Sequence, residues 1–260
     1  MQNIESTLVS IKADLNKILA NTESSNNSKS LSVPNASQLA KINDAIGWES
    51  EANNWLIVNF RASDNLVNRS YRKWHKNVLS LMEEKSVGNP LLLDHEWFES
   101  NSGCGFIINS ELKTSQKAPE LQKLGYEEIN QKIIAKEGYI ELILTAAIPN
   151  IESNKKWIEA IKNRVINSCS TGGEISGAKL ICPNCSEVHG REITFNELDK
   201  FGNHICPHWL PNPYTLEVAE TDDIEVADYI ELNGNYENLE LSICHIGNLP
   251  NAKVIRDDII

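Results

Sequence analysis

No run of about 18 apolar residues occurs in this chain, so no segment reads as a membrane-spanning helix. A basic stretch followed by an apolar one is also missing near residue 1, so no secretory signal is expected. Positive charge is scarce: 24 Lys and Arg stand against 36 Asp and Glu, a net charge of −12. That balance argues against nonspecific nucleic-acid binding, because such a chain repels phosphate. No internal repeat is present. Cysteine is not lacking, but without a secretory signal the CxxC and CxH spacings favour metal ligation over disulfides, in a reducing, cytoplasmic setting.

What is present fits one domain with an appendage. The chain has 260 residues, 41% of them hydrophobic, enough for a sizeable core. Ile4, Leu8, Ile11, Leu15 and Ile18 form an a/d seam on a helix of about 18 residues. Such a seam suits self-association or docking on the chain's own body. The Ser/Asn-rich residues 21–30 read as a flexible linker. Residues 1–37 are therefore expected to be a tethered appendage and 38–260 the globular body.

Within the body, residues 55–60, 90–94, 104–108, 139–148, 178–181, 214–219, 239–246 and 252–255 read as strands. Helical spacing covers 71–84, where Trp74, Val78, Leu81 and Met82 share a face. The second half of the charged stretch 112–136 also reads as helix. A further helix is expected from a cap at Ser153 through Ile166. Strands interleaved with a few helices indicate an α+β fold built round an antiparallel sheet or barrel.

The sharpest motif is Cys182-Pro-Asn-Cys185 followed by Cys206-Pro-His208. Two ligand pairs on two turns can wrap one tetrahedral zinc ion. Cys182, Cys185, Cys206 and His208 would close the coordination sphere, so the metal is expected to be structural. His189 and His204 are alternative ligands. The insertion at 180–212 has few apolar residues of its own. Metal binding worth on the order of 10 kcal/mol would therefore govern its folding. Its only basic residues besides histidine are Arg191 and Lys200, which disfavours nucleic acid as a partner.

Three further positions can carry chemistry. His95 follows a strand and precedes a glycine-bearing loop, a placement suited to a base. Ser170 opens Ser-Thr-Gly-Gly, expected as a tight turn between helix and strand, where adjacent glycines could present N–H donors to an oxyanion. Glu240 lies on a strand whose alternation puts Glu240, Ser242 and Cys244 on one face; it could orient an imidazole. Each also has an ordinary structural reading. Ser168 competes with Ser170. Cys169 could be a thiol nucleophile, but between two serines it is expected to point inward.

The order of these segments resembles the prohead (capsid maturation) serine proteases of tailed phages. Gly88-Asn-Pro-Leu-Leu-Leu-Asp-His95 matches that family's Pro-x-Leu-x-x-His strand end, and Ser170-Thr-Gly172 its Ser-x-Gly. Leu239-Glu-Leu-Ser-Ile-Cys is similar to its Glu-x-Ser-x-Val strand, and Pro250-Asn-Ala252 to its Pro-x-Ala. Some relatives carry a CxxC…CxH insertion after the serine motif, as here. The resemblance covers roughly residues 55–256. It implies a small β-barrel surrounded by helices, similar to the herpesvirus assembly proteases. It also implies endopeptidase action on scaffold and capsid proteins inside the assembling prohead, in the cytoplasm of a bacterial host. Ser170 would be the nucleophile and His95 the general base; Glu240 or His245 would be the third member. The long separation of His95 from Ser170 maps to 113–137, expected as a surface insertion. The alternative is an inactive protease-fold protein serving as a zinc-stabilised structural or binding component of a particle.

Overall fold

A computed structural model describes residues 31–96, 103–118, 126–211, 225–244 and 252–255. The heptad helix and linker before residue 31, the strand expected at 214–219, and His245 lie outside the described residues.

The protein is α+β, with five α-helices among the described residues and a closed barrel of seven strands. The barrel strands are β1 (Trp55–Asp64), β3 (Pro90–Leu93), β4 (Gly105–Ser115), β5 (Tyr139–Pro149), β6 (Ser168–Ile181), β7 (Ile230–Cys244) and β8 (Lys253–Val254); the short β2 (Arg72–Trp74) lies outside the ring. Round the ring the order is β7-β3-β4-β5-β1-β8-β6, and β6 closes it by pairing with β7. Most pairings are antiparallel, as expected. β7 is the exception, because β2 and β3 both run parallel to it.

Alternation along the strands builds the barrel interior. Val58, Phe60 and Ala62 of β1 point inward, as do Leu142, Leu144, Ala146 and Ile148 of β5 and Leu241 and Ile243 of β7. Helix α2 (Lys76–Lys85) adds Val78, Leu79 and Met82 to this core, and α4 (Lys155–Lys162) adds Ile158 and Ile161. Phe60 is completely buried, and truncating such a ring costs about 3–5 kcal/mol. Outside the wall, α1 (Ala36–Ile46) seats Ile42 against Trp55, Ile57, Ile108 and Ala147. Asn35 and Gln38 cap α1 reciprocally. The third short helix, α3 (Glu127–Glu137), precedes β5.

Four expectations need correction. Residues 71–84 are not one helix: Arg72–Trp74 pairs with β7, and His75 then caps α2 by accepting from the Asn77 N–H. The helix expected through Ile166 ends at Lys162, because Arg164 takes a left-handed φ of 60°. Residues 113–137 are not wholly an insertion, since Lys113, Thr114 and Ser115 continue β4 against β5. The Ser-Thr-Gly-Gly segment is not a turn but part of β6, paired residue by residue with β7.

Past Cys169, whose N–H donates to the Ala252 carbonyl, β6 pairs among the described residues with β7 alone until Leu180 and Ile181 meet Phe195 and Thr194. The two strands thus form a long ribbon. One end lies in the barrel wall, and the other carries the segment with the Cys/His motif.

Candidate active site and metal centre

β3 runs parallel to β7, with Leu92 beside Ser242 and Leu93 beside Ile243. The Asp94 N–H extends this ladder by donating to the Ile243 carbonyl at 3.0 Å. The chain then reverses. Asp94 and His95 have φ of 48° and 62°, and the Glu96 N–H donates to the Leu93 carbonyl at 3.0 Å. Two consecutive left-handed non-glycine residues cost about 1–3 kcal/mol each, strain of a kind that clusters at functional sites. The turn brings the His95 ring back over β7.

There it meets Glu240, whose side chain is fully buried. Glu240 Oε1 lies 2.5 Å from His95 Nδ1, and Oε2 accepts from the Ser242 hydroxyl at 2.5 Å. Ser242 Oγ in turn accepts from the His95 backbone N–H at 3.0 Å. The glycines of the serine motif serve this packing rather than a turn. Gly172 is paired directly with Glu240, and a Cβ there would sit 2.9 Å from Glu240 Cδ and overlap Oε1. At Gly173 a Cβ would run into the Tyr236 ring.

The His95 side chain is 45% exposed, and among the described residues its Nε2 has no hydrogen-bond partner. One edge of the ring is therefore fixed by a buried carboxylate while the other is left for chemistry. The hydrogen bond to Glu240 raises the His95 pKa above 6.5; burial opposes the shift, and the charges of Glu240 and Asp94 reinforce it.

Ser170 is paired directly with Ser242, and Ser168 with Cys244. Directly opposed residues share a face, so Ser168 and Ser170 lie on the same side of the sheet as Glu240 and Ser242. Ser170 is half-buried and makes no hydrogen bond to His95. Catalytic hydrogen bonds are often long before substrate binds. Cys169 points into the barrel as expected: it is fully buried, its thiol donates to the Arg61 carbonyl at 3.3 Å, and burial pushes its pKa far up. It is a core residue, not a nucleophile.

The structure thus joins His95 to Glu240 and places Ser170 on their face. Sequence reasoning put Ser242 on this face without giving it a role. Its signal was the Glu-x-Ser spacing, which aligns a hydroxyl with a carboxylate on a strand.

At the far end of the ribbon, Cys182 follows β6 and directly precedes α5 (Pro183–His189), which supplies Cys185. Cys206 and His208 come from the returning loop. The four ligand atoms all lie within 4.8 Å of one another and can hold a metal ion. His208 Nδ1 is 3.6, 3.2 and 3.8 Å from the sulfurs of Cys182, Cys185 and Cys206. Tetrahedral metal–sulfur and metal–nitrogen bonds of ordinary length space N and S by roughly 3.6 Å. His208 Nε2 faces Glu225 Oε2 at 3.5 Å, the outer carboxylate a ligating imidazole usually has. Glu225 is held there because the Trp209 N–H donates to its carbonyl at 2.8 Å. Without a cation, burial first, and then the crowding of Cys206 and Cys185, raises the Cys182 thiol to about 12. A bound cation reverses that preference. The Cys182, Cys185 and Cys206 side chains pack with Ile193, Phe195, Ala227, Ile230 and Leu232 in a small core of their own, and Trp74 lies against it.

No family model matches the chain, and no curated protein or solved structure does either. No described helix is long and apolar enough to cross a membrane.

Proposed function

We propose that this protein is a serine endopeptidase whose nucleophile is Ser170 and whose general base is His95, oriented by Glu240. The observation that carries the reading is the 2.5 Å contact between the half-exposed His95 ring and the fully buried Glu240 carboxylate, made through a left-handed turn. A buried carboxylate on Nδ1 leaves Nε2 to take the Ser170 proton as Oγ attacks a peptide carbonyl. Glu240 then stabilises the imidazolium. His95 Nε2 returns the proton to the leaving amine, and water releases the acyl group by the same route in reverse.

The substrates follow from the motif order that resembles the prohead proteases: scaffold and capsid proteins of an assembling phage head, cleaved inside the shell. The closed seven-stranded barrel supports the corresponding herpesvirus-protease-like architecture. The metal is zinc and its role structural, because three thiolates and one imidazole leave no position open for water.

One observation favours a second reading. The Ser170 hydroxyl is not hydrogen-bonded to His95, as in a barrel kept for binding rather than cleavage. Incubating the protein and its Ser170→Ala variant with scaffold and capsid proteins, followed by intact-mass spectrometry, separates the two. Fragments that require Ser170 support the protease. No fragments from a folded, metal-loaded protein support the binding component.

A further inference from the structure

We propose that Ser242 is a positioning residue of this site, hydrogen-bonded to both Glu240 and His95, and that its hydroxyl fixes the tautomer of His95. The proposal rests on the reading of His95 as the base.

Ser242 is completely buried, yet both capacities of its hydroxyl are used. It donates to Glu240 Oε2 at 2.5 Å and accepts from the His95 N–H at 3.0 Å. These bonds close a ring: hydroxyl, carboxylate, imidazole, histidine backbone, hydroxyl. Each link has a separate consequence. A carboxylate turns easily about its last torsion, which has a broad, roughly two-fold preference. With Oε2 held by Ser242, Oε1 is directed at Nδ1. A carboxylate oxygen only accepts, so the imidazole proton sits on Nδ1 and the Nε2 lone pair is left for Ser170. The backbone link acts on the turn. The N–H of His95 lies beyond the last β3–β7 ladder bond, made by Asp94, and the Ser242 hydroxyl is its acceptor. Without that acceptor the left-handed turn loses a bond on the residue that must stay in place.

Ser242 does not hold β7 itself in place. Its backbone is paired on both sides, with Leu92 of β3 and Ser170 of β6. Ser242→Ala is therefore expected to leave the barrel folded while releasing both His95 and Glu240.

The test is NMR of protein labelled with ¹⁵N at histidine, run beside steady-state cleavage. In the unmodified protein His95 shows a single Nδ1–H tautomer above its titration and a low-field Nδ1 proton. In Ser242→Ala that proton is lost and the tautomers mix, and kcat falls about 10- to 100-fold with KM little changed, as on removal of other outer hydrogen-bond partners. Ser242→Thr, which keeps the hydroxyl, restores both. Wild-type His95 signals in folded Ser242→Ala contradict the proposal, as does a folded Ser242→Thr that behaves like alanine; if the threonine variant does not fold, the alanine spectrum decides alone. Absence of cleavage in the unmodified protein counts against the protease reading only, because the spectra report on His95 without any substrate.

Discussion

The β6–β7 ribbon carries two polar sites that are held in opposite ways. At the barrel end, Glu240 and Ser242 are buried by the sheet itself, and hydrogen bonds from one strand to the next fix them. At the far end, three thiols and an imidazole converge over a small separate core, and among the described residues no Lys or Arg is paired with the thiols. In the first site the His95–Glu240–Ser242 hydrogen bonds form without a ligand. The second has the donor set of a metal site, and a bound cation would stabilise its thiolates. One ribbon therefore carries a hydrogen-bonded carboxylate–imidazole pair at one end and a cluster that can hold a metal ion at the other.

Removing the metal draws the contrast most strongly. Structural sites of this kind contribute on the order of 10 kcal/mol. A strong chelator is expected to abolish amide-exchange protection across 182–209 while β1, β4 and β5 keep theirs. Loss of protection in the barrel at the same chelator concentration would show that the two regions are one cooperative unit.

Next in size is Gly172→Ala. The added methyl overlaps the Glu240 carboxyl, and overpacking of this kind costs about 1–3 kcal/mol. Denaturant unfolding should show that loss, with the His95–Glu240 contact broken and metal affinity unchanged. A wild-type midpoint would mean that Glu240 can move aside freely.

Glu225→Gln probes the other end. Loss of an outer carboxylate typically weakens metal binding 10- to 100-fold. Because the Glu225 side chain is 77% exposed, the lower figure, about 1.4 kcal/mol, is expected in competition with a chromogenic chelator. The His95 spectrum should not change.

The smallest effect is that of pH. Protonated His95 gains Glu240 only in the fold, and its pKa is raised above 6.5. Its contribution to stability is therefore full below pH 6.5 and fades as pH rises through the raised value. Activity runs the other way, since the base must be neutral, so the acidic limb of the rate profile lies above pH 6.5. Glu240→Gln moves that limb down.

Much of this was legible in residue order. The apolar runs at 55–60, 90–93 and 139–148 are strands because each supplies one face of a closed core. The Cys182–His208 spacing announced its own cluster. Alternation put Glu240 and Ser242 together. The Ser-Thr-Gly-Gly segment misled because glycines suggest turns, whereas here two of them make room on a strand for Glu240 and Tyr236, side chains of the neighbouring strand. That requirement is tertiary and leaves no local mark. The same holds for the turn at Asp94–His95, which no glycine announces and which is anchored from β7. Trp74 fits a helical face by spacing, yet Arg72–Trp74 is a strand because β7 offers it a free edge.

The most direct test is labelling with a fluorophosphonate, in which the serine Oγ–P bond forms, the P–F bond breaks and the base takes up the proton. Intact-mass and peptide analysis should find one adduct, on Ser170. It should be absent in Ser170→Ala and slowed by on the order of 10⁴-fold in Glu240→Gln. No adduct on the folded protein, or an adduct on Ser168 that survives Ser170→Ala, would contradict the assignment of Ser170, His95 and Glu240.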